Sequence, residues 1–120
     1  MSLGYVRDRF PRISLSLPGH QGPVVIEFII DTGFDGDLSL PQSVVNQLQT
    51  AEAEYRWIQA AAGKATPTSA CEVVLDWYDE ERITEVIILE NAPLLGVGLM
   101  EGSLLQAEMQ TGGEVSLEPL

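Results

Sequence analysis

The chain reads as a mostly β protein with one or two short helices. Two apolar runs rich in β-branched residues, "VVIEFII" at 24–30 and "ITEVIILE" at 83–90, have strand length. Clusters of Gly, Pro, Asn and Asp separate nearly every such run. Helical spacing is confined to one brief stretch, so there is no strand–helix–strand alternation. With 120 residues, 45% of them hydrophobic and 20% charged, the whole chain 1–120 is expected to fold as one ordered domain. A chain of this size buries roughly 65–70% of its unfolded surface, enough for a core without staples.

Element by element, "RISLSL" alternates Ile13, Leu15 and Leu17 on one face, a half-buried strand. The opening Met1–Gly4 carries no weight. "PGHQGP" is a turn with His20 at its exposed tip. "VVIEFII" is nearly continuous in apolar residues, which predicts a strand covered on both faces. "DTGFDGD" turns into a short strand around Leu38–Leu40. "PQSVVNQLQ" then offers Pro41 at a first helical position with Val44, Val45 and Leu48 at helical spacing. "AEYRWIQAA" and "TSACEVVLDWY" read as two strands joined by an exposed hairpin tip, "AGKATP". "DEER" is a solvated charged turn, and "ITEVIILE" is a strand ending at "NAP". "LLGVGLMEG" is too rich in glycine for a long helix but has room for one helical turn. "SLLQAEM" and "EVSLEP" close the chain as a hairpin, with Gly112–Gly113 as its tight turn.

Composition excludes several functions. A net charge of −12, with six Lys and Arg, repels phosphate backbones and argues against nucleic acid as a ligand. One cysteine, Cys71, forbids an intramolecular disulfide; with a single histidine, His20, a Cys/His metal site is excluded as well. Cys71 reads as a small buried residue, and Trp57, Trp77 and Tyr78 as packing residues. No apolar run reaches the roughly 18–20 residues that cross a bilayer, and no signal-peptide core is evident, so a soluble, cytoplasmic setting with no membrane partner is expected.

The stretch that carries chemistry is "FIIDTGFDGDLSLP", Phe28–Pro41, in which Asp31 follows directly on a core strand and is trailed by Thr32 and Gly33. A chance Asp-Thr-Gly arises in roughly 2% of chains this long, so context must sharpen it. Context does so through the apolar run before Asp31, a mid-chain hairpin, and "PLLG" at Pro93–Gly96 followed by a candidate helical turn. A calcium loop is excluded, because its third and twelfth positions hold Gly33 and Gln42 where oxygen ligands and a Glu are required.

With these motifs, the chain from about Ile13 to its C-terminus resembles the retropepsin-like aspartic peptidases, in particular their small single-lobe forms. The resemblance implies a retropepsin-like closed β-barrel, the acid protease fold. It makes Asp31 the catalytic residue and Thr32, Gly33, Leu94, Leu95 and Gly96 its support. It implies a homodimer, since one lobe supplies one carboxylate and this chemistry needs two, acting on a polypeptide substrate without metal or cofactor. In that picture Thr32 bonds across the dimer, and Gly33 turns the backbone and aims its amide at the carboxylate. Gly96 permits close approach of two segments, and Ala61, Ala62 and Gly63 form a flap over the peptide. Phe34 and Asp35 fall at substrate-facing positions, Phe34 either narrowing the cleft or turning inward. The family's bracing arginine after the second motif is replaced by Val97, leaving Arg7, Arg9 or Arg12 as candidate substitutes. Two other readings stand beside the peptidase: a retropepsin-like binding or dimerisation module with little turnover, and an unrelated small β-barrel.

Overall fold

Period-two burial is plainest along Phe10–Leu17, where Ile13, Leu15 and Leu17 are buried and Ser14 and Ser16 are exposed. This strand, β2, belongs to a computed structural model that describes residues 2–59 and 65–120, with side chains for 2–51 and 68–120. In chain order the elements are β1 (Ser2–Arg7), β2 (Phe10–Leu17), β3 (Val24–Ile30), β4 (Leu38–Leu40), α1 (Gln42–Val45) and β5 (Ala51–Gln59). They continue with β6 (Ala65–Trp77), β7 (Glu80–Ile88), β8 (Leu94–Leu95), α2 (Val97–Met100), β9 (Ser103–Ala107) and β10 (Glu114–Pro119). The mostly β class and the two short helices are thus present.

All ten strands join one sheet in the order β5-β6-β7-β4-β8-β3-β2-β1-β10-β9. The expected closed barrel is not formed: among the described residues no ladder joins the terminal strands β5 and β9, so the sheet is open. The sheet instead bends over itself until β2 approaches both β6 and β10. One face then encloses a single core in which Val6, Ile13, Phe28, Leu38, Leu75, Leu95 and Leu117 are almost wholly buried. Closure by side-chain packing replaces closure by hydrogen bonds.

Three local readings in the first half of the chain are corrected by the structure. β3 is not covered on both faces: Ile26, Phe28 and Ile30 are buried, but Val25 is 71% exposed. Its outer face is roofed only by side chains, with Tyr5, Arg7 and Arg12 gathered on Glu27. Ser2–Gly4, given no weight above, open β1, whose Val6 is buried and which pairs with both β2 and β10. Pro41 caps α1 from one position before the helix.

The C-terminal hairpin is present, but its tight turn is Gln110–Gly113, closed by Gly113 N on the Gln110 oxygen at 2.8 Å, so Thr111–Gly112 and not Gly112–Gly113 are its central pair. Gly112 takes φ 78°, and a Cβ on Gly113 would lie 1.8 Å from the Glu108 carbonyl oxygen, so this turn requires glycine twice. Cys71 and Trp77 are buried, and Tyr78 donates to the Ser103 hydroxyl at 2.7 Å. β5 and β6 pair antiparallel as far as Gln59 and Ala65. The expected flap residues Ala61, Ala62 and Gly63 lie outside the described residues, as does the side chain of Trp57.

Candidate active site

Asp31 owes its position to three strands. β3 brings it to the edge of the core through Phe28 and Ile30, both buried. β8 then runs parallel to β3, pairing Leu94 with Ile29 and Leu95 with Ile30, so that the Asp31 amide donates to the Leu95 carbonyl at 3.0 Å. On its other side β8 pairs antiparallel with β4, Leu38 opposite Leu95. The "LL" dipeptide is therefore a wedge between the strand that enters the Asp31 loop and the strand that leaves it.

The loop between is held by the turn that opens α2. The Phe34 carbonyl accepts from Val97 N at 2.8 Å, the Asp37 carbonyl from Gly96 N at 2.9 Å, and the Gly36 carbonyl from Gly98 N at 3.1 Å. Backbones this close leave no room for side chains. A Cβ on Gly96 would fall 2.2 Å from the Gly36 oxygen and 2.6 Å from both the Phe34 oxygen and Cδ2. One on Gly98 would fall 2.8 Å from the Asp35 oxygen and from Asp37 Oδ1. Gly96 is thus a close-approach glycine, buried between two backbone segments.

The carboxylate is positioned locally. Asp31 Oδ1 accepts from the Gly33 amide at 2.8 Å, and the Phe34 amide donates to the Asp31 carbonyl at 3.2 Å. Asp31 is half-buried, whereas Thr32 and Gly33 are exposed. Gly33 differs in one respect from its expected role. Its φ is not positive, so the sharp turn does not rest on glycine's conformational freedom. Glycine matters there because a Cβ would crowd Asp31 Oδ1 at 3.2 Å.

Phe34 is half-buried and is not part of the core cluster; its ring lies over Gly36 and Gly96, and a Cβ on Gly36 would meet Phe34 Cζ at 2.6 Å. The ring fills the space that two missing side chains leave. Asp35 is exposed, and with Val97, Gly98, Met100, Glu101, Gly102 and Ser103 it borders a surface depression of about 460 Å³.

The loop is braced by a cation, but through Asp37 and not through Asp35, the acid that the resemblance would have an arginine hold. Arg82, read above as part of a solvated turn, donates to the Gly98 carbonyl at 3.0 Å and stands 3.6 Å from Asp37 Oδ1. Asp37 Oδ2 in turn accepts from the Glu85 amide at 3.1 Å. One guanidinium on β7 thereby ties the loop after Asp31 to α2. Within this chain Arg7 and Arg12 serve Glu27 instead, at 2.6 and 3.5 Å, and Arg9 is exposed in the β1–β2 turn. Arg82 lies 51 positions beyond Asp31 and before the second motif. Its only sequence signal was the sole cation in an acidic stretch, beside the unused acid Asp37.

In comparisons with protein-family models, curated proteins and solved structures, none matches this chain.

Proposed function

We propose that this chain is one half of a homodimeric aspartic endopeptidase of retropepsin-like fold. The observation that carries the reading is Asp31 itself: a carboxylate at the end of a core strand, aimed by the Gly33 amide at 2.8 Å and left half-open to solvent. A solvated surface turn would not need its backbone clamped by three hydrogen bonds from a second segment, nor a strand wedged beneath it. That rigidity suits a group that must meet a reacting atom within hydrogen-bond reach.

One chain supplies one such acid. Two copies meeting with Asp31 near its counterpart would share a proton, since two carboxylates a few Å apart do not both ionise. The ionised member takes a proton from a water that attacks the scissile carbonyl. The protonated member polarises that carbonyl and later protonates the departing amine. In such a dimer Thr32, exposed at the mouth of the loop, bonds across the pair.

The test is cleavage of an unfolded protein from mildly acidic to neutral pH by the wild-type chain and by Asp31→Asn, which keeps an acceptor oxygen for the Gly33 amide. Loss of about 100-fold or more in rate supports the peptidase. A chain that dimerises normally but shows no cleavage dependent on Asp31 is the binding or dimerisation module instead. Because the site is assembled between chains, activity per chain falls on dilution below the dimer Kd.

A further inference from the structure

We propose that the tip of the β6–β7 hairpin is a docking site for a basic segment of a polypeptide. Glu80 and Glu81 hold the segment's cation, and the indole N–H of Trp77 donates to its backbone carbonyl. The site is separate from Asp31 and does not depend on what Asp31 does.

The hairpin turns in two residues, Tyr78 and Asp79, both left-handed at φ 53° and 64°, as so short a loop requires. This sets Trp77 directly opposite Glu80 and Asp76 directly opposite Glu81. Opposed residues share a face of the sheet, and successive ones alternate. Trp77, a core residue, therefore brings Glu80 to its own side. With Tyr78, Glu81, Arg82 and Pro119 the two line a depression of about 480 Å³.

Two unmet demands meet there. The first is a donor without an acceptor. Trp77 is only 7% exposed, yet no described residue accepts from its indole N–H. The nitrogen is not sealed in the core: it holds part of the little surface that Trp77 keeps, and that surface lies in the depression. A donor so largely removed from water gains from an acceptor that a ligand brings.

The second is negative charge. Asp76, Asp79, Glu80 and Glu81 stand within six residues that include no cation. No described cation lies within ion-pair distance of any of them. Arg82, next in sequence, is engaged elsewhere, by the Gly98 carbonyl at 3.0 Å and Asp37 at 3.6 Å. Asp76 and Glu81 oppose each other as like charges, an arrangement that costs stability and that a bound cation relieves.

Together these demands select the occupant. An anion is repelled. A metal ion is not served, because among the described residues no three carboxylates converge closely enough to hold one. A simple polyamine offers the indole no acceptor. A Lys or Arg side chain within a polypeptide has both parts, a long-stemmed cation and a carbonyl oxygen close by. Its aliphatic stem lies along the wall of Trp77, Tyr78 and Pro119. The net charge of −12 steers such a segment toward the chain, and the depression gives it a place to stop.

The test is an NMR titration of the full-length chain with acetyl-Gly-Arg-Gly-Lys-Gly-amide, read at the Trp77 indole N–H. A saturable shift of that signal is expected. In Glu80→Gln/Glu81→Gln the apparent Kd rises at least about fivefold, whereas in Glu101→Gln/Glu114→Gln, which removes the same charge elsewhere, it rises less than about twofold. Equal weakening in the two variants reduces the effect to the diffuse field of an acidic chain and overturns the site. An indole signal that does not move overturns it as well, even where cleavage depends on Asp31. A shift that disappears in Asp31→Asn places the peptide at Asp31 and likewise overturns it. The specific shift without cleavage dependent on Asp31 upholds this site and removes only the peptidase.

Discussion

Substituting Gly96 by Ala places a methyl group where two backbone segments already touch. Its carbon would stand 2.2 Å from the Gly36 oxygen and 2.6 Å from the Phe34 oxygen and ring. Ordinary contact needs roughly another ångström, and the two oxygens are not free to retreat. The Gly36 carbonyl accepts from Gly98 N at 3.1 Å and the Phe34 carbonyl from Val97 N at 2.8 Å. Overpacking of this kind costs about 1–3 kcal/mol. Two lost or stretched hydrogen bonds add about 1 kcal/mol each. The expected loss is therefore about 3–5 kcal/mol, a large part of the roughly 5–15 kcal/mol that holds a domain together. Two other glycines serve as controls. Gly112→Ala meets nothing within 4 Å but must adopt φ 78°, which costs about 1–2 kcal/mol. Gly33→Ala meets a single side-chain oxygen at 3.2 Å, which a small rotation of Asp31 relieves at about 1 kcal/mol or less, while displacing the carboxylate. Urea unfolding followed by tryptophan fluorescence measures all three. With a slope near ~2 kcal/mol/M, Gly96→Ala shifts the midpoint by about 2 M. A Gly96→Ala midpoint within the shift of Gly112→Ala would refute the close-approach argument.

The Arg82–Asp37 clamp predicts non-additivity. Arg82→Met and Asp37→Asn each lower the unfolding midpoint, and a double-mutant cycle returns a coupling of about 0.5–1 kcal/mol, small because Arg82 is 36% exposed; additive single losses would dissolve the clamp. Glu27 predicts an acid limb. The Tyr5 hydroxyl's hydrogen bond, with the Arg7 and Arg12 charges behind it, holds its carboxyl below the ordinary carboxylate range. A depressed folded pKa means stability that is present above the unfolded pKa and lost as pH falls through the folded one. Glu27→Gln is expected to flatten the decline of Tm between neutral and acidic pH, and an unchanged slope would contradict the assignment. Tyr5 works in the opposite sense: the bond to Glu27 raises its hydroxyl pKa, so that contribution is present below the unfolded value and fades as pH rises through the folded one. Tyr5→Phe should therefore lose stability at neutral pH and show less of a decline in alkali, measured by thermal unfolding.

Part of the site was legible because its signals are local. Asp31 stands directly after the apolar strand that carries it, whereas Gly96 was marked only by its motif, since the Phe34 and Gly36 backbone that explains it lies about 60 positions away. The strands were legible for the same reason: Ile13, Leu15 and Leu17 declare a face by alternation alone. Arg82 was not, because a side chain's partner 45 positions away leaves no periodic trace. Phe34 gave no local sign of where its ring would lie, which depends on the space above Gly36 and Gly96, the latter in a distant segment.

What the amino-acid order determined by itself is therefore the β class, most strand faces, the turns that need glycine, and the acid around which a site could be built. What only the tertiary structure decided is which segments became neighbours. It slid β8 between β3 and β4 and put β1 to use beside β10. It left the sheet open at β5 and β9 and bent it until one face closed on itself. Side-chain alternation states which face of a strand avoids water, but hydrogen-bond partners across a sheet are chosen by the packing of the whole core, and no short stretch contains that choice.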